Sequence, residues 1–153
     1  MQIVREGKKK LICVIDGQGG GIGSAIIKRL RDVVDDSVEI LALGTNAIAT
    51  AQMLKSGANR GASGENAIIR TVKQVDIIIG PLGIILTHSM MGEVSPGISE
   101  AVSESPAKKL LIPLSQENVV VIGVSSSPLP HLIEEMVTGY LNEFTKIRTV
   151  KNV

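Results

Sequence analysis

The chain has 153 residues, 44% hydrophobic and 20% charged, with sixteen basic against fifteen acidic side chains and a formal net charge of +1. That length and balance describe one compact domain over residues 1–153 with an ordinary apolar core. They exclude a disordered chain and lack the basic excess that binding a nucleic-acid backbone needs. Tyr140 and Phe144 are the only aromatic residues and Cys13 the only cysteine, which removes stacking platforms for single strands and any internal disulfide.

The start, Met1 to Lys10, is basic, but the apolar run after it ends at Asp16, too short for a signal peptide or a membrane span. The expected location is the cytoplasm, with no membrane or nucleic-acid partner. Leu11 to Ile15 reads as a strand covered on both faces. After a glycine cluster, Ile22, Ala25, Ile26, Ile27, Leu30, Val33 and Val34 recur at helical spacing, with Lys28, Arg29, Arg31 and Asp32 between them. Turn residues Asp35 to Ser37 lead to a second strand, Val38 to Leu43, completing a βαβ unit.

Thr45 or Asn46 can cap a second helix that stops at Gly57, followed by a glycine-rich loop, Gly57 to Gly64. Glu65 to Val75 has short helical spacing, with Glu65 and Asn66 read as caps in preference to sugar contacts, and leads to a third strand at Ile77 to Ile79, closed by Gly80 and Pro81. Segment 82–93 has no clear pattern, and Gly83 to Leu86 within it reads as a strand extension or a crossover. Val94 to Ser105 reads as a helix ending before Pro106. Lys109 to Leu114 and Asn118 to Val124 are strand-like runs separated only by Ser115, Gln116 and Glu117, which predicts an antiparallel edge hairpin. A last helix is expected from about Leu129 to Phe144, with a loose tail from 146 to 153. The sum is a three-layer α/β sandwich on a mostly parallel sheet of about five strands.

The stretch Asp16-Gly17-Gln18-Gly19-Gly20-Gly21-Ile22-Gly23-Ser24 joins the first strand to the first helix, where free N–H groups and the helix dipole favour an anion. Glycines here are costly in chain entropy but let a backbone approach a ligand closely, so this turn is the expected phosphate site of a nucleotide. The alternative is a tight turn with no ligand. The strict G-x-G-x-x-G register is not met, and Ile22-Gly23-Ser24 stands where a P-loop would carry its lysine.

Gly17-x-x-x-Gly21-Ile22-Gly23, followed by Ala25 and Lys28-Arg29-Leu30, resembles the GxxxGIG turn of short-chain dehydrogenases, which implies NAD or NADP at this turn. The Tyr-x-x-x-Lys pair of that family is absent, since Leu141, Asn142, Glu143 and Phe144 follow Tyr140. Cys13 to Ala25 together with Val38 to Leu43 and Thr45-Asn46-Ala47 also resembles the amino-terminal part of tubulin-like GTPases, which implies GTP or another nucleotide. Over the whole chain, the turn with Gly44-Thr45-Asn46-Ala47, Gly64-Glu65-Asn66-Ala67 and Ile79-Gly80-Pro81 is similar to a small bacterial family of unknown function, which implies a Rossmann-like fold and no stated activity.

Ligands in open α/β sheets sit outside the carboxyl ends of the strands, so the binding set expected here is Gly17, Gln18, Gly19, Gly20, Gly21, Ile22, Gly23, Thr45, Asn46, Gly80 and Pro81. Asn46 could bond a ribose or simply cap its helix, and Thr45 could accept a 2′-phosphate. The positions after the second strand hold no carboxylate, which weakens the NAD reading and favours NADP or a mononucleotide. Asp16 before the glycines is read as bonding turn N–H groups, with a Mg²⁺ role as the alternative. His88 is a candidate for proton transfer, with a merely solvated loop histidine as the alternative, and His131 is similarly placed. His88 and His131 lack a nearby carboxylate at ligand spacing, so no metal site is expected. The functional expectation is a nucleotide or dinucleotide binder, NAD(P) favoured; whether it is an enzyme is open, and the alternative is a non-catalytic regulatory module. A homodimer is left open.

Overall fold

The computed structural model describes residues 9–114, 118–124 and 126–142. Strand β1 is Lys10–Asp16, followed by helix α1 over Gly21–Val33 and strand β2 over Val38–Gly44. Helix α2 is Ala47–Lys55, strand β3 Arg60–Ser63, helix α3 Glu65–Thr71 and strand β4 Ile77–Pro81. A 3₁₀ turn at Leu82–Ile85 and a series of turns precede helix α4 at Pro96–Glu104 and strand β5 at Lys108–Ile112. Helix α5, Leu129–Glu135, runs into a wider π-helical stretch, Met136–Leu141.

The five strands lie in the order β3-β2-β1-β4-β5 and every pair is parallel. Side-chain alternation explains why both faces need helices. Ile12 and Val14 of β1 point to one layer, with Ile40, Ala42, Ile77 and Ile79, against Ile26, Ile27 and Leu30 of α1 and Met53 of α2. Cys13 and Ile15 point to the other, with Leu41, Leu43 and Ile78, against Ile68 of α3 and Ile98 and Val102 of α4. Because both faces of each central strand are buried, the strands read as continuous apolar runs. Among the described residues no helix is long and apolar enough to cross a membrane.

The chain winds outward from β1 through β2 to β3, then returns through α3 to β4 on the other side of β1. The strand order therefore reverses between β1 and β4, and the carboxyl ends of these two strands flank the crevice such a reversal opens.

Three expectations are corrected. The loop expected at Gly57 to Gly64 contains β3, an edge strand of Arg-Gly-Ala-Ser with no apolar run to announce it. It is held by pairing with β2 and by α2 packed closely above it: a Cβ on Gly61 would stand 2.9 Å from Thr50 Cγ2, and Ser63 Oγ donates to Thr50 Oγ1 at 2.7 Å. The antiparallel hairpin is not seen among the described residues, whose five-stranded sheet is wholly parallel. Pro113 directly after β5 offers no N–H to a ladder, and Gly123 turns the chain with φ +89°. Val120 and Ile122 consequently stand in solvent. The long last helix changes to π geometry after Glu135; its expected end at Phe144 and the tail 146–153 lie outside the described residues.

Ile79 is fully buried in β4, whereas Ile48 on α2 is 68% exposed. Ile79→Ala should cost about 2–5 kcal/mol through lost burial and the cavity left behind. Ile48→Ala should stay within about 0.5 kcal/mol. Urea denaturation of the two variants checks the contrast.

Candidate functional site

The site is organised by Asp16, the last residue of β1, which is only 3% exposed. Gly17 N–H donates to its Oδ1 at 2.8 Å and Gly23 N–H to its Oδ2 at 2.7 Å, so one carboxylate ties the start of the turn to the first turn of α1. Burial pushes the Asp16 carboxyl above its ordinary value, and the two N–H bonds pull against that rise. The sequence reading of Asp16 as a partner for turn N–H groups holds.

Inside this clamp the glycines divide into two kinds. Gly17 sits beneath Thr45 and Met90, where a Cβ would lie 2.5 Å from Thr45 Oγ1 and 2.7 Å from Met90 Sδ. Gly20 has φ +73° and packs on the α2 backbone, and a Cβ on Gly23 would lie 2.5 Å from Met53 Sδ. The fold itself requires these three. Gly19 and Gly21 are different: their φ values are not left-handed, and a Cβ on either would meet nothing within 4 Å. Among the described residues no acceptor is bonded to the N–H of Gly19 or Gly21. The Ser24 hydroxyl, in the first turn of α1, is buried without a protein partner.

A cleft of about 410 Å³ opens at this turn, lined by Asp16 through Ile22 together with Pro81, Met90 and Leu114. It lies where the strand order reverses, and its size is in the range of small-ligand sites. Of the residues expected from sequence, Gly17, Gln18, Gly19, Gly20, Gly21, Ile22 and Pro81 come together here. Gly23 is buried behind them. Gly80 belongs to the packing between strands, since a Cβ there would stand 2.5 Å from the carbonyl oxygen of Ile15.

Thr45 and Asn46 border the turn through a residue the sequence did not point to, Glu93. Its Oε1 accepts from Gln18 N–H at 3.0 Å, Thr45 Oγ1 at 2.8 Å and Asn46 Nδ2 at 2.6 Å. Partial burial raises the Glu93 carboxyl, but the three donors outweigh it and leave it below its ordinary value. Asn46 also caps α2, its Oδ1 accepting from Ala49 N–H at 2.9 Å, so the capping alternative is realised. A carboxylate from the segment between β4 and α4 thus stands beside the end of β2.

That segment, 82–93, is not a strand: Leu82–Ile85 is a 3₁₀ turn, and together with α4 the segment makes the crossover that joins the parallel strands β4 and β5. Positive φ at His88, Met90, Met91 and Gly92 folds it back so that Met90 reaches the cleft and Glu93 the turn. His88 is exposed on the loop and is not among the cleft-lining residues. Glu65 does not cap α3 through its side chain but accepts from Ser95 Oγ at 2.5 Å. Among the described residues no three His, Cys, Asp or Glu side chains converge as a metal-binding group.

A doubly wound parallel sheet with a glycine-rich turn at its point of reversal defines a Rossmann-like α/β domain. The chain belongs to the family described as Domain of unknown function (DUF3842), which matches over residues 11–145. Neither the short-chain dehydrogenases nor the tubulin-like GTPases is the family matched. No curated protein matches the sequence. Among solved structures it is similar to a universal stress protein in complex with cAMP, at TM-score 0.41 and 14% identity, covering 69% of this chain and 98% of that one. It is also similar to a dodecameric FMN-dependent UbiX-like decarboxylase from Escherichia coli O157:H7, at TM-score 0.43 and 18% identity, covering 84% and 72%.

The two carboxylates have opposite linkage to pH. Asp16, raised on folding, contributes most to stability when protonated, and that contribution falls as pH rises through its folded value. Glu93, lowered on folding, contributes above the ordinary carboxyl value of 4.5 and loses that contribution as pH falls through its folded value. Glu93→Gln should therefore melt below the wild type at pH 7, with the gap narrowing as pH drops below 4.5. Melting curves between pH 3 and 7 for the two proteins check the sign.

Proposed function

We propose that this chain binds a nucleotide through the cleft at the reversal point, with a dinucleotide of the NAD type as the favoured ligand. The observation that carries the reading is the pair Gly19 and Gly21. Neither packing nor a left-handed backbone calls for glycine at these positions, although glycine costs conformational entropy on folding. A ligand lying against the backbone accounts for both, with their N–H groups donating to a phosphate at the positive end of α1.

The charges around the turn narrow the choice. Asp16 and Glu93 are both carboxylates, and they disfavour the multiply charged phosphate chain of a nucleoside triphosphate lacking a cation. The pyrophosphate of a dinucleotide carries one negative charge per phosphorus and is repelled less. Glu93, standing on Thr45 and Asn46 at the end of β2, is positioned for ribose hydroxyls in this reading. It would repel a 2′-phosphate, which favours NAD over NADP. The assignment is of binding and not of a reaction.

A thermal-shift panel of NAD, NADP, GTP, ATP and inorganic phosphate tests it. NAD at a hundred times its dissociation constant should stabilise by about 2.7 kcal/mol, with a smaller effect from NADP. The double variant Gly19→Ala with Gly21→Ala should fold with equal or greater stability, by about 0.4–1 kcal/mol per site, because alanine restricts the unfolded chain. It should lose the NAD shift. A variant that keeps the shift, or a wild type that responds to no nucleotide, refutes the reading.

A further inference from the structure

Ile84 and Val94 are fully buried, but between them residues 85–93 contain no buried residue. Within that stretch His88, Met90 and Met91 hold left-handed φ values of 68°, 56° and 56°, a region that suits glycine and strains other side chains. Few buried contacts and a strained backbone mark a segment that can open while the core stays folded. The segment is bonded to itself, His88 N–H donating to Val94 O at 2.6 Å and Val94 N–H to Ser89 O at 3.2 Å, so it keeps its own shape as it moves.

Two side chains carry this segment across to the glycine turn. Met90 lies over Gly17 and forms part of the cleft wall. Glu93 makes the polar link: among the described residues, every hydrogen bond from the segment to the turn or to the start of α2 ends on its Oε1. The remaining side-chain bonds, Ser89 to Gly83 O and Thr87 to Ser99, lie on the β4 and α4 side and stay in place if the link to the turn breaks. A strained segment is thus fastened over the cleft by a single oxygen and one thioether.

We propose that residues 86–93 are a hinged strap, which opens locally in the free chain and is held shut by a ligand in the cleft. The second half of this statement rests on the reading of the cleft as a nucleotide site. Closed, the strap supplies Met90 to the cleft wall and, through Glu93, fixes Gln18, which lines the same cleft. Open, it supplies neither. A ligand that touches these groups binds the closed form better than the open one and shifts the population toward it.

Amide hydrogen exchange on the full chain, read at Gln18, tests this, because the Gln18 N–H is bonded to the strap itself. In the free chain it should exchange at least about tenfold faster than the β1 amides. Met91→Gly relieves one left-handed residue whose side chain is 95% exposed, and should slow Gln18 exchange at least about threefold. Glu93→Gln, which takes the charge from the link, should speed it by at least about the same factor. Gly23, bonded to Asp16 and not to the strap, should be unchanged in both variants. NAD at a hundred times its dissociation constant should slow Gln18 exchange at least about tenfold and quench relaxation dispersion of the Met90 methyl. Gln18 exchange as slow as that of β1, or unmoved by either substitution, overturns the strap. NAD that shifts the melting temperature without slowing Gln18 overturns its coupling to the ligand. A chain that binds no nucleotide refutes the binding reading and that coupling together, while exchange in the free chain still decides whether the strap opens.

Discussion

The glycine turn depends on one buried carboxylate. Asp16 ends a strand whose side chains are packed on both faces, so its position is fixed by the sheet before any turn geometry is chosen. Its two oxygens then hold N–H groups six residues apart in sequence, Gly17 and Gly23. Hydrogen bonds to a charged group contribute about 1.5–3 kcal/mol each, enough to offset part of the cost of taking a carboxylate out of water. The close approach of α1 to β1, the need for glycine at position 23 and the presentation of Gly19 and Gly21 to the cleft all follow from this clamp.

A second carboxylate gives the site its asymmetry. Glu93 reaches the turn from a loop with left-handed φ at three non-glycine residues, His88, Met90 and Met91, each of which costs backbone energy. Three donors gathered on one oxygen repay part of that strain and fix Gln18, Thr45 and Asn46 relative to each other. The turn therefore presents Gly19 and Gly21 to the cleft, with Asp16 in its lining and Glu93 fixing the turn from outside that lining.

Much of this was legible in the sequence where local pattern and burial agree. Ile12 to Ile15 and Ile77 to Ile79 read as strands because both faces are covered, and the spacing of Ile26, Ile27 and Leu30 matches the buried face of α1. Strand β3 was not legible, because Arg60 to Ser63 is a strand only through pairing with β2 and the close seat of Thr50 over Gly61. The hairpin was misread for the converse reason: Val119 to Ile122 has the propensity of a strand, but Pro113 and the turn at Gly123 keep it from the neighbouring β5. At the site, the glycine turn was plain from its place between strand and helix. Glu93 was not, since its partners Gln18 and Asn46 lie 75 and 47 residues away and the loop joining them has no repeating pattern.

The central claim is that Gly19 and Gly21 are glycines for a ligand and not for the fold. Amide chemical-shift mapping during titration with NAD tests it most directly, since it reports on those two N–H groups individually. The account predicts that Gly19 and Gly21 shift most, followed by Gln18, Thr45 and Asn46, while the β5 amides stay in place. Saturating NAD that leaves Gly19 and Gly21 unmoved, or moves only residues away from the turn, would contradict it.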